Sequence, residues 1–281
     1  ILSGVGGDEL FGGYRRYWSE HLVRSYRRIP GSVRKYVLQP VGRMLPSDRH
    51  SKWLDWSRLA KGFLSGAELD ADARYEDFVR VFKQEDVERI LGCAGVTRSE
   101  ALARAFARAS HHSPLDRLID VDLMTQLPDD LLMLTDRMSM ATSLECRVPL
   151  LDDALLDLAG TIPDDMKVRG TNLKYALKQS LRGVLPDEII DRKKRGFGAP
   201  IGGWFKSELS GYLDSVLSEE RVKQRGMFDW AEIDRIKSQH KENREDYTDH
   251  LLSLMNFELW SQMYLDGDSQ DEVAERLAAS S

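Results

Sequence analysis

The sequence predicts a mainly helical fold, and three observations carry that prediction. From Tyr14 to Tyr264, apolar residues recur at the spacing of a helix with one buried face. Convincing strand signals are few and begin with the opening Ile1–Leu2. Proline and glycine punctuate the helical runs with no internal repeat or low-complexity linker, so a single domain is the economical arrangement. A chain of 281 residues is long enough to bury a large core.

The opening ILSGVGGDELFGGY reads as a strand end, a glycine loop and a helix start. Ile1 and Leu2 end the strand, and Ser3, Gly4, Gly6 and Gly7 permit a tight turn. Asp8 and Glu9 fall in the first helical turn, where carboxylates complement exposed amides and the dipole. Two readings are open: an ordinary joint with Asp8 as a cap, or a ligand loop at the end of a parallel strand. A strand that opens the chain needs sheet neighbours, so the sequence is expected to be a fragment whose other strands lie upstream.

Tyr14, Tyr17, Trp18, Leu22 and Tyr26 make the first helical stripe, which Pro30-Gly31 ends. A second amphipathic piece runs over 32–45, interrupted at Pro40. Trp53, Trp56, Leu59 and Phe63 form a stripe suited to core packing. Two short helices are expected over 76–91 and another over 99–110. His111 and His112 have no Cys, His or acidic partners at ligand spacing and read as loop residues. Over 114–127 a helix presents Leu115, Leu118, Ile119, Leu123 and Leu127. After Pro128, the residues Leu131, Leu132, Leu134, Met138 and Met140 give a surface apolar enough to belong between other helices. Asp129, Asp130, Asp136, Arg137, Glu145 and Arg147 accompany it, and a cleft would explain so many charges beside a core.

Asp152 is a natural cap for the helix that follows. Lys174, Tyr175, Leu177 and Leu181 mark another helix, and Pro186 starts a short one. Arg192, Lys193, Lys194 and Arg195 precede Gly196-Phe197-Gly198, a run that reads either as solvated surface or as an anion-binding loop. Further helices are expected over 209–217, 230–238 and 250–264, the last with Leu252, Met255, Leu259 and Met263 inward. Residues 265–281 read as a frayed tail.

Forty basic against forty-six acidic side chains leave a formal charge of -6, which does not indicate a duplex-binding surface. Cys93 and Cys146 read as reduced thiols rather than a disulfide scaffold. No apolar run approaches a membrane span, and the start lacks a signal-peptide pattern, so a cytoplasmic setting is expected.

Three ordered blocks, SGVGGDELFGGY (3–14), LPDDLLMLTDRMSMATSLECRVPLLD (127–152) and LKYALKQSLRGVLPDEIIDRKKRGFGAPIGGWF (173–205), resemble the synthetase domain of the glutamine-dependent asparagine synthases. The resemblance implies the helical C-terminal part of an α/β ATP-pyrophosphatase domain. It implies ATP and Mg2+ as cofactors, adenylation of a carboxylate such as aspartate, and attack by ammonia from an upstream glutaminase domain. The pyrophosphate loop would also lie upstream, so the chain alone is expected to be inactive. A homodimer is left open.

Carried over by motif, Asp8 is the expected magnesium ligand and Lys194 the expected phosphate contact. Arg192 is a weaker phosphate contact, and the Gly6–Gly7 backbone would lie close to the nucleotide or substrate. The resemblance thus favours the anion-binding reading of 192–198. Glu145 and Arg147 would line or brace the cleft. Val5 stands where asparagine-forming relatives commonly carry a glutamate. A hydrocarbon cannot accept a proton or orient an amine, so the acceptor could be another carboxylate, such as a sugar acid or an amino-acid derivative. Intramolecular amide closure is a rival reaction on the same scaffold, and a non-catalytic helical interaction domain is the rival of another class.

Overall fold

The computed structural model describes residues 1–38, 40–41, 63–64, 66–93, 95, 99–109, 113–192 and 199–279. Trp53, Trp56, Leu59, His111, His112 and the segment 193–198, with Lys194, lie outside the described residues.

The main helices are α1 (Gly7–Phe11), α2 (Arg15–Tyr26), α3 (Ala71–Val79), α4 (Gln84–Leu91), α5 (Glu100–Arg108), α6 (Pro114–Met124), α7 (Met133–Met140) and α8 (Asp153–Thr161). They continue with α9 (Tyr175–Ser180), α10 (Ser210–Val216), α11 (Glu219–Arg225), α12 (Trp230–Lys241), α13 (Thr248–Tyr264) and α14 (Gln270–Ala278). Among the described residues, extended pairing is limited to isolated bridges. The chain divides into two compact units where the sequence suggests one: residues 1–79 with 98–193, and residues 80–97 with 194–281.

In the first unit, α6 supplies the centre. Leu115, Leu118, Ile119 and Val121 pack with Tyr17, Tyr75, Phe106 and Val168. Ser113 caps α6 by accepting from the Asp116 amide, with Pro114 at the first helical position. The same helix carries a buried carboxylate, Asp122, which is fully satisfied. The Arg16 guanidinium reaches it at 2.7 Å, and the hydroxyls of Tyr17 and Tyr75 donate to it. Burial, and then the Asp122 charge, push both phenols above their ordinary value, so they remain neutral donors.

A smaller cluster joins Leu10 and Phe11 of α1 to Ala159 of α8, with Leu151, Leu155 and Leu177 against it. Asp152 caps α8 by accepting from the Ala154 amide at 3.0 Å, as its position predicts. Phe63, the one described member of its stripe, packs edge-on against Tyr26 at 5.8 Å.

One expectation for the first unit is not met among the described residues. The face read as an inter-helix surface is open: Leu131 and Leu132 are partly exposed, and Leu134, Met138 and Met140 are exposed. Helix α7 continues directly from the π-helical turn Leu127–Leu132, and among the described residues these side chains are left uncovered. Asp129, Asp130, Asp136 and Arg137 are exposed on the same segment, so their charges are not buried within the described residues.

In the second unit, Ile233 and Ile236 of α12 and Leu251 and Leu254 of α13 form a core with Phe205, Leu213, Val216, Leu217 and Val222. The inner face of α13 is rotated from the predicted stripe. Leu251, Leu254, Glu258, Ser261 and Gln262 are buried, whereas Leu252, Met255, Leu259 and Met263 flank them. Glu258 can be buried because Arg225 donates to both carboxylate oxygens at 3.0 Å. The stretch read as a frayed tail contains α14, where Ser269 and Glu272 form a reciprocal capping box and Val273 is buried.

Among the described residues, no helix is long and apolar enough to cross a membrane.

Candidate functional site

The opening residues are the edge on which the site is built. Leu2 pairs in parallel with Arg147. The Arg147 amide donates to the Ile1 carbonyl, and the Ser3 amide to the Arg147 carbonyl, each at 2.8 Å. This ladder brings the glycine loop beside the segment holding Glu145 and Arg147, which are far away in sequence. The Glu145 and Arg147 side chains pair with each other at 2.7 Å and are both exposed. Val5 is half-buried on the same loop.

The loop becomes a helix through two left-handed glycines. Gly6 (φ 92°) is the N-cap of α1 and Gly12 (φ 72°) its C-cap, and the five-residue helix is closed by the Gly13 amide donating to the Asp8 carbonyl at 2.7 Å. Gly6 also leaves room for packing, since a Cβ there would lie 2.3 Å from Leu151 Cδ2. A Cβ on Gly7 would lie 2.8 Å from Leu150 Cδ1. Part of the glycine requirement at 6 and 7 is therefore met inside the protein, by the two leucines that follow Pro149.

The adjacent acids have different surroundings. Glu9 is 1% exposed and accepts a hydrogen bond from the Tyr14 hydroxyl. Burial first, and then Glu9, push Tyr14 above the ordinary phenol range, so it stays a donor. Glu9 is thereby committed to the interior. Asp8 instead faces Lys174: its Oδ2 lies 3.1 Å from Nζ, and both side chains are 26% exposed.

Lys174 reaches Asp8 from an unusual backbone position. It is the N-cap of α9 in the left-handed region, at φ 55° and ψ 38°. That conformation costs a non-glycine residue roughly 1–2 kcal/mol. A partly exposed ion pair returns about 0–1 kcal/mol, so the contact does not offset its own conformational cost. Glycine also clears the space around it. A Cβ on Gly13 would lie 2.0 Å from Asp8 Oδ1 and 2.4 Å from Lys174 Cε.

These residues fit a magnesium ion of one kind. Among the described residues, no cluster of three or more His, Cys, Asp or Glu side chains offers a protein-only cage. Magnesium commonly uses one or two carboxylates together with substrate phosphates, and Asp8 suits that role. The structure places Val5 and Gly6 on the loop, and Gly7 and Asp8 at the start of α1, following the strand residue Leu2 that pairs with Arg147. Arg192 is exposed near the end of the first unit's described residues. The Asp8–Lys174 pair and the Glu9–Tyr14 hydrogen bond are the contacts that sequence reasoning missed. The Lys174 side chain projects from a left-handed residue that no glycine or asparagine signals, whereas aromatic Tyr14, five residues on, was the available clue to Glu9.

The family model described as asparagine synthase matches residues 1–262. Asparagine synthetase [glutamine-hydrolyzing] 1 of Bacillus subtilis (strain 168) is 28% identical over 94% of this chain and 40% of its own length. Proteins described as putative asparagine synthetase [glutamine-hydrolyzing] in Mycobacterium bovis and Mycobacterium tuberculosis are each 28% identical over 98% of this chain and 41% of their own length. The chain thus spans about two fifths of these relatives' length. No solved structure matches it significantly. With the family match running from the opening glycine loop through most of α13, the chain belongs to the asparagine synthase family.

Proposed function

We propose that this chain forms part of an ATP-dependent amide-forming ligase. Its site would adenylate a carboxylate, releasing pyrophosphate, after which ammonia displaces AMP and leaves an amide. The observation that carries this reading is the Asp8 carboxylate, held partly exposed at the start of α1 while its neighbour Glu9 is buried. Asp8 would hold Mg2+ together with the ATP phosphates. When bound, the ion supplies positive charge against the triphosphate and the departing pyrophosphate. The Gly6–Gly7 backbone would approach the nucleotide, with Lys194 and, more weakly, Arg192 supplying further charge to the phosphates. Glu145 and Arg147, tied to the opening strand, would brace the acceptor side. In this reading the chain is the helical part of an α/β ATP-pyrophosphatase domain in the cytoplasm, with ammonia supplied by a glutaminase domain in the whole protein.

Val5 favours a second reading of the acceptor. A half-buried hydrocarbon on the loop cannot hydrogen-bond an amine or a carboxylate. The substrate would then be a carboxylate other than aspartate, such as a sugar acid or an amino-acid derivative. The test is pyrophosphate release by the intact protein with ATP, Mg2+, glutamine or ammonia, and a panel of carboxylates, with the amide identified by mass spectrometry. Release with aspartate alone supports asparagine formation, and release with another acid supports the second reading. No release with any acceptor favours a non-catalytic helical domain.

A further inference from the structure

Resting on that reading of Asp8, we propose that Lys174 is a positioning residue that alternates with the divalent cation. Its ammonium occupies the Asp8 carboxylate when nucleotide is absent. When metal and nucleotide arrive, it yields Asp8 to the cation and turns to the incoming anion.

Three features support this role. The pair is partly open to solvent, with Nζ 3.1 Å from Oδ2, so it can separate without creating a buried unpaired charge. The backbone of Lys174 is held left-handed, although a partly exposed ion pair is a poor return for that conformation. Space is also kept on one side, since a Cβ on Gly13 would overlap Lys174 Cε and Asp8 Oδ1. A mobile cation beside a metal-binding carboxylate would prevent Asp8 from repelling the triphosphate before the metal arrives.

The test measures binding rather than turnover, in the intact protein. Mn2+ is titrated alone and followed by its electron paramagnetic resonance signal, and Mg–ATP is titrated separately by calorimetry. Lys174→Met is expected to strengthen Mn2+ uptake about fivefold or more, because the competing ammonium is gone, and to weaken Mg–ATP about tenfold. A merely structural lysine would not move the two affinities in opposite directions. Lys174→Gly relieves the left-handed backbone and guards against a folding failure: it should melt no lower than the parent while showing the same opposed shifts. If both affinities stay within twofold, or fall together in both variants, the inference is overturned. Asp8→Asn separates the two levels. If it leaves Mg–ATP binding intact, the reading of Asp8 fails as well. If it abolishes binding while the Lys174 variants change nothing, only the alternation fails.

Discussion

Gly13→Ala separates the site from the scaffold. The added Cβ would lie 2.0 Å from Asp8 Oδ1, 2.4 Å from Lys174 Cε and 2.8 Å from Asp8 Cγ. All three belong to partly exposed side chains, and Gly13, though buried, is outside the left-handed region, so the backbone accepts alanine without strain. The pair must move by an ångström or more, whereas the core does not. Overpacking in a closed core costs about 1–3 kcal/mol. With the clash relieved by two partly exposed side chains, the loss here should be about 1 kcal/mol or less. A reacting group misplaced by about 1 Å can lower turnover on the order of a hundredfold. Thermal melting of the intact protein should therefore change little, while ATP-dependent pyrophosphate release falls by about two orders of magnitude. Gly6→Ala is the contrasting control. It forces a left-handed alanine against Leu151, and should cost about 2–5 kcal/mol of stability from conformational strain and overpacking together. If Gly13→Ala retains pyrophosphate release within threefold of the parent, the placement of Asp8 and Lys174 beside Gly13 is not what the reaction uses.

Asp122→Ala should destabilise the first unit by about 3–5 kcal/mol, because it strands Arg16 in the interior and removes the acceptor for Tyr17 and Tyr75; urea denaturation measures this. In the second unit, burial between Phe82 and Tyr247 lowers the affinity of His250 for a proton in the folded state. As pH falls below the ordinary histidine value of about 6.5, the unfolded chain takes up a proton first, and stability declines through that window. Thermal melts between pH 7.5 and 5 should show a smaller decline for His250→Phe than for the parent.

Much of the helical framework was legible because its signals are local. Asp152 before Ala154, Pro114 after Ser113, and the spacing of Tyr17 and Tyr26 each mark an element that the structure contains. The Ser269–Glu272 box was equally local, but alanine-rich polar composition suggested fraying instead. What escaped depends on distant partners. Tyr17 and Asp122 meet across 105 positions, and no local pattern announces that a carboxylate on an apolar helix will be satisfied there. Glu258 turns the inner face of α13 because Arg225, thirty-three positions earlier, neutralises it. The open face of α7 shows the opposite limit, since periodicity identifies an apolar stripe but not whether another layer covers it.

The sequence reading centres the proposed site on the glycine loop and Asp8, and the structure adds the reason the two acids differ. Glu9 is closed off by Tyr14, while Asp8 is kept available opposite Lys174. The glycines serve both packing and space: Gly6 and Gly7 accommodate Leu151 and Leu150, and Gly13 accommodates the ion pair.

Calorimetric titration of Mg–ATP into the intact protein and its Asp8→Asn variant tests the metal-holding role of Asp8 most directly. Loss of at least tenfold in affinity, with melting unchanged, is the expected result. Equal affinity in the two proteins would contradict it and place the nucleotide's metal elsewhere.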